Sequence, residues 1–146
     1  MTGYQAYQGN QVEGAGPLGL VLLTYDALYK ALGRARLSVE AGNMEAEAEN
    51  TARAMEAIIE LSSSLNMEKG GEVAEGLAKL YFYMTDRLTQ GMCSKSCDHL
   101  DEIISLVQTL REGWQDLQQG KKQQIRPVAR AQTVMPEAQM MMAQYG

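Results

Sequence analysis

Gly16-Pro17-Leu18-Gly19-Leu20-Val21-Leu22-Leu23-Thr24-Tyr25-Asp26-Ala27-Leu28-Tyr29-Lys30-Ala31-Leu32 decides the fold. Leu18, Val21, Leu22, Tyr25, Leu28, Tyr29 and Leu32, continued by Ala35 and Val39, recur at steps of three and four, which is one face of an α-helix. Leu20, Leu23, Ala27 and Ala31 form a second apolar set beside it. A surface helix of a globular protein needs only one apolar stripe. This helix is therefore either buried on several sides or offers a second apolar face to a partner.

Working outward, the same periodicity recurs three more times. Pro17 suits a first helical position, with Gly16 as a weak N-cap, and Gly42 ends helix 1 just after Ala41. Asn43 is placed to cap helix 2, which the pattern carries from about Met44 to Asn66, with Glu45 and Glu47 favouring its positive end. Its expected core stripe is Ala48, Ala52, Met55, Ile58, Ile59, Ser62 and Leu65, flanked by Ala54, Ala57 and Leu61. Glu68-Lys69-Gly70-Gly71 is a break. Helix 3 follows from about Glu72 to Gln90 with Val73, Leu77, Leu80, Tyr81, Met84 and Leu88 inward; Phe82 and Tyr83 lie off the stripe as an aromatic surplus. Helix 4, with Ser94 or Ser96 as its expected cap, carries Leu100, Ile103, Ile104, Val107, Leu110, Trp114 and Leu117, with Leu106 to one side. Residues 18–126 contain no proline, as long helices require. Four amphipathic helices joined by short turns make an all-α, antiparallel up-down four-helix bundle.

The ends read differently. Residues 1–15 hold Gly3, Gly9 and Gly14 among polar residues, which disfavours a helix. Tyr4, Tyr7 and Val12 are apolar anchors on that stretch, so it reads as a flexible N-terminal arm, either a plain leader or one that docks on the body. After Gln119-Gly120 the helical pattern stops. Residues 120–146 read as a flexible, basic, Met-rich tail, or as a short docking helix from Pro136, since methionine packs adaptably. The expected division is thus arm 1–15, bundle domain 16–119 and tail 120–146.

Charge and cysteine usage narrow the function classes. The net charge of −5 argues against a general nucleic-acid binder. Lys121, Lys122, Arg126 and Arg130 outweigh Glu137 in the tail, leaving the tail at +3 and the rest of the chain at −8. No apolar run is long enough for membrane insertion, no secretory signal is visible, and two cysteines do not make a disulfide framework, so a cytoplasmic protein with reduced thiols is expected. His99, the single histidine, follows Ser96 by three residues, so the Glu-x-x-His motif of a di-iron bundle is absent; His99 is expected to be solvated at the start of helix 4. Cys93, Cys97 and His99 give at most three zinc ligands. Asp26 is expected on the exposed side of helix 1. No cofactor, no metal and no catalysis are expected. The surplus apolar residues of helices 1 and 3 instead point to a partner site, and to a helical interaction module.

The motifs go further. Tyr7 with Gln11-Val12, Ala15-x-Pro17, and Leu22-Leu23-Thr24-Tyr25-Asp26 come first. Gly42-Asn43-Met44, Ile58-Ile59-Glu60-Leu61 and Leu65-Asn66 follow, then Leu80-Tyr81-x-Tyr83-Met84, Arg87-Leu88 and Leu110-Arg111-x-x-Trp114. In this order and spacing, across residues 4–118, the chain resembles the FliS family of flagellin-specific export chaperones. The resemblance implies a cytoplasmic, non-enzymatic chaperone that wraps the disordered C-terminal segment of flagellin round its bundle. It would prevent premature polymerisation and keep flagellin ready for the flagellar type III export apparatus. It also implies an N-terminal arm that lies over part of the binding surface. The flagellin-binding or arm-docking candidates are Tyr7, Val12, Leu20, Leu23, Ala27, Phe82, Tyr83 and Leu106, in a monomer or weak homodimer. The alternative from another class is a four-helix adaptor that binds a folded partner or itself. Gly16-Pro17-Leu18-Gly19 stands where the family has a capping box, so the start of helix 1 is expected to be loose.

Overall fold

A computed structural model describes residues 3–120 of the chain, with side chains from Leu18 onward. Four helices follow one another: α1 (Gly3–Glu40), α2 (Met44–Ser63), α3 (Met67–Gly91) and α4 (Asp98–Gln118). No strand occurs among the described residues. α1 packs on α2 and α4, and α3 packs on the same two, so α1 and α3 face each other across the bundle's diagonal. The connections are short enough to force antiparallel neighbours, and the fold is the expected all-α four-helix bundle.

The helix ends follow capping chemistry. At the end of α1, Gly42 takes φ 69°. Gly42 N donates to the Val39 carbonyl at 3.0 Å and Asn43 N to the Ser38 carbonyl at 2.9 Å. That pair is a Schellman motif, and its left-handed residue suits glycine. Asn43 then caps α2 by accepting from Ala46 N at 3.0 Å, and Asn66 caps α3 by accepting from Lys69 N at 2.9 Å. The expected break before helix 3 is real but narrower. One helical turn starts at Met67, and Gly71, at φ 51° and ψ −130°, interrupts it before the main run. At α4 neither serine is the cap. Cys97 stands there without a side-chain capping bond, its thiol donating instead to the Arg36 carbonyl at 3.9 Å, and Ser96 Oγ, one residue earlier, accepts from Asp98 N at 3.1 Å.

The core runs the length of the bundle. Tyr25, Leu28 and Leu32 of α1 meet Ile58 and Leu61 of α2, Leu77, Tyr81, Met84 and Leu88 of α3, and Leu100, Ile103, Leu110 and Trp114 of α4. The Tyr25 and Tyr81 hydroxyls meet at 2.6 Å across the diagonal, and the Trp114 ring lies tilted beside Tyr25 with centroids 6.3 Å apart. The two tyrosine rings are thus buried with their hydroxyls satisfied by each other.

Four expectations are corrected. α1 does not start at Pro17: the helix already runs from Gly3, so residues 3–16 form its first turns. Adding turns to an existing helix avoids the cost of nucleation, which is how a glycine-containing stretch extends one. On α2 the buried residues are Glu47, Thr51, Ala54, Ala57, Ile58 and Leu61, whereas Ala48, Ala52, Ile59 and Ser62 are exposed. The stripe is rotated because polar residues occupy the seam; the Glu47 carboxylate is satisfied there by Cys93 N, which donates at 3.1 Å. His99 is buried, only 3% exposed, not solvated. It lies against Gly91, whose missing side chain leaves room for the imidazole. Asp26 is half-buried and paired with Arg111 of α4 at 2.6 Å.

Candidate functional site

An open groove of about 660 Å³ runs between α1 and α2. Leu23, Ala27 and Ala31 from α1 and Ala57 from α2 make its apolar floor. These are mostly small residues, and they leave a channel where larger ones would have closed the two helices over it. Asp26, Lys30 and Arg34 form one wall, and Arg53, Glu56 and Glu60 the other. Two of the candidate residues, Leu23 and Ala27, therefore meet in one site. Leu20 precedes Leu23 by three residues and is half-buried, outside the groove lining.

The α3 candidates lie elsewhere. Phe82 is the most exposed large apolar residue described, at 74%. Tyr83 is exposed too, but its hydroxyl donates a short hydrogen bond to Glu102 of α4, whose other oxygen accepts from Arg87 Nε at 2.8 Å. These two donors, Tyr83 first and Arg87 next, hold the Glu102 carboxyl below its ordinary range, while the bond to Glu102 raises the Tyr83 phenol. Tyr83 thus ties α3 to α4 and presents its ring beside Phe82. Leu106 is half-buried and packs against the core. Tyr7 and Val12 fall on the first part of α1, where side chains lie outside the described residues. Ile59 and Met44 of α2, 61% and 57% exposed, add apolar surface that the sequence pattern had assigned to the core or left unassigned.

The α1–α4 seam is closed by polar ties. Asp26 pairs with Arg111, Arg36 with Asp101 at 2.6 Å, Gln108 donates to the Tyr29 hydroxyl at 3.3 Å, and the Arg111 guanidinium stands 6.0 Å over the Tyr29 ring. That side offers little to a partner, whereas the α1–α2 side stays open. Cys93 is exposed and Cys97 half-buried, both as free thiols; burial pushes the Cys97 thiol up, which makes it a poor nucleophile. Among the described residues no three His, Cys, Asp or Glu side chains gather as metal ligands would, and no helix is long and apolar enough to cross a membrane.

Comparison with known proteins places this bundle. The sequence profile described as "Flagellar protein FliS" matches residues 1–121. The chain belongs to the FliS family. Among curated FliS relatives, the flagellar secretion chaperone FliS of Salmonella typhimurium is 34% identical over 121 residues, covering 80% of this chain and 90% of that protein. That of Bacillus subtilis is 31% identical over 119 residues, covering 82% and 88%. The FliS match ends at residue 121, just beyond the last turn of α4.

Sequence reasoning missed the groove's walls. Lys30, Arg34, Glu56 and Glu60 read as an ordinary wet face until α2 is set beside α1. The signal that could have found them was Ala27, Ala31, Ala54 and Ala57: small residues at helical spacing on two consecutive helices mark where the backbones come close and a floor forms.

Proposed function

We propose that this chain is a non-enzymatic flagellar export chaperone that binds the disordered C-terminal segment of flagellin in the cytoplasm. Bound to it, flagellin would be kept from polymerising and delivered to the export apparatus. Membership of the FliS family and relatives named as flagellar secretion chaperones support the chaperone role. The observation that carries the choice of client is the spread of exposed apolar surface over three helices: the α1–α2 groove, Ile59 and Met44 on α2, and Phe82 and Tyr83 on α3. A compact partner touches one patch. A disordered segment wraps several, gaining area while it orders.

The test is titration of the full chain with the C-terminal segment of its cognate flagellin, followed by calorimetry and circular dichroism. One client per chaperone and a gain of helix on binding are expected. Replacing both Leu20 and Leu23 by Asp is expected to weaken binding at least tenfold while the melting temperature of the client-free bundle changes little. Unchanged affinity in that variant removes α1 from the site. No binding of the segment by the wild-type chain overturns the reading.

A further inference from the structure

The six charged residues on the groove walls are sorted by sign along its length. α1 and α2 are antiparallel and joined by the turn at 41–43, so height below that turn follows from position in sequence. At the helical rise, Arg34, Arg53 and Lys30 stand about 9 to 15 Å below it. Glu56, Asp26 and Glu60 stand about 18 to 24 Å below it. The three cations therefore occupy the turn end and the three anions the opposite end, without interleaving. Arg53 is partly engaged by Glu49 at 3.0 Å and Asp26 by Arg111. Lys30, Arg34, Glu56 and Glu60 are exposed and form no ion pair among the described residues. A floor of small residues with an electric polarity along it suits one kind of occupant: an amphipathic helix that lays large apolar side chains on Ala27, Ala31 and Ala57 and carries charge of opposite sign at its two ends.

We propose that the α1–α2 groove fixes the direction of a bound client helix by charge, holding the helix's acidic end at Arg34, Arg53 and Lys30 and its basic end at Glu56, Asp26 and Glu60. Helices ordinarily carry Asp and Glu in the first turn and Lys and Arg in the last. A client helix of that kind lies antiparallel to α1, with its N-terminus beside the 41–43 turn. The inference deepens the chaperone reading, since the client it orients is the one proposed above. Direction matters to a wrapped client because it decides which end of the segment leaves the groove toward α3 and which leads back to the rest of the client.

Two synthetic amphipathic peptides of identical composition test this, one with acidic residues first and basic residues last, the other with that order reversed. Each carries a nitroxide at its N-terminus and is bound to the isotope-labelled full chain. The acidic-first peptide is expected to broaden amides near Arg34 and Arg53, and the basic-first peptide those near Leu23 and Glu60. The variant Lys30→Glu, Arg34→Glu, Glu56→Lys, Glu60→Lys keeps the net charge and changes only exposed side chains. It is expected to exchange the two patterns and to weaken the acidic-first peptide in its original direction about tenfold at low salt, an effect lost in about 0.5 M salt. One orientation for both peptides, or broadening centred on Phe82 instead of the groove, overturns the proposal. Designed peptides that orient as expected while the flagellin segment fails to bind support the groove's polarity and sink the flagellin reading. A flagellin segment that binds wild-type and charge-exchanged protein equally well, with peptides indifferent to charge order, does the reverse.

Discussion

A methyl group at position 91 would stand 2.2 Å from Cγ of His99 and 2.4 Å from its Nδ1. Either the imidazole shifts or the end of α3 does. Gly91→Ala is therefore expected to destabilise the bundle by about 1–3 kcal/mol in urea denaturation, as overpacking does. In a His99→Ala background the same change is expected to cost almost nothing, because the ring is gone. The histidine itself carries a pH signature. Burial lowers its folded-state affinity for a proton, helped by the nearby Arg87 charge and opposed by Glu47, Asp98 and Asp101. The unfolded chain, with an ordinary value of about 6.5, then binds more protons. Stability is thus full above that pH and is lost as pH falls below it, until the folded form is protonated too. Denaturation midpoints measured from pH 7.5 to 5 should fall, and His99→Phe should flatten that slope. Trp114, 1% exposed, should cost about 3–5 kcal/mol when replaced by alanine. The Trp was legible in sequence from its place on a helical stripe. His99 was not, because a histidine beside a helix start reads as wet until the glycine that makes room for it is brought opposite.

At the scale of the element, α1, α3 and α4 show their buried faces in the sequence, and α2 does not. The first three carry long apolar side chains at three- and four-residue steps. In α2 the seam is Glu47, Thr51, Ala54, Ile58 and Leu61, while Ala48, Ala52 and Ile59 sit about a quarter-turn away and imitate a stripe. Alanine is small enough to be either floor or surface, so periodicity alone leaves the phase of such a helix undetermined. The two isoleucines separate the phases experimentally. Ile58→Ala should cost about 2–5 kcal/mol, and Ile59→Ser, at a 61% exposed position, under about 0.5 kcal/mol. Equal losses would restore the other phase. The candidate site was half legible for the same reason. Leu23 and Ala27 stood out as surplus, but charges on a helix acquire meaning only from the helix beside them.

At the scale of the whole molecule, the packed cluster ends, among the described residues, at Leu117, three residues before the described chain ends. Removing residues 121–146 should leave the melting temperature within about 2 °C of the full chain, since a shift of 1 kcal/mol would move a domain of this size by about 4 °C. The two ends of the bundle are not held alike. At one, the 41–43 turn and the 92–97 connection are bound together: Glu47 to Cys93 N, Arg36 to Asp101, and His99 seated on Gly91. At the other, α2 passes to α3 through a short capped turn and the Gly71 interruption, and residues 62–64 and 66–69 of that passage are exposed. The bundle should therefore unzip from one side. Amides around Ser64–Ala74 are expected to exchange with deuterium well before those around Leu88–Ile103, by opening that leaves the tied end intact. A bundle built this way breathes at the loose end of its fold while the knotted end keeps the register of all four helices.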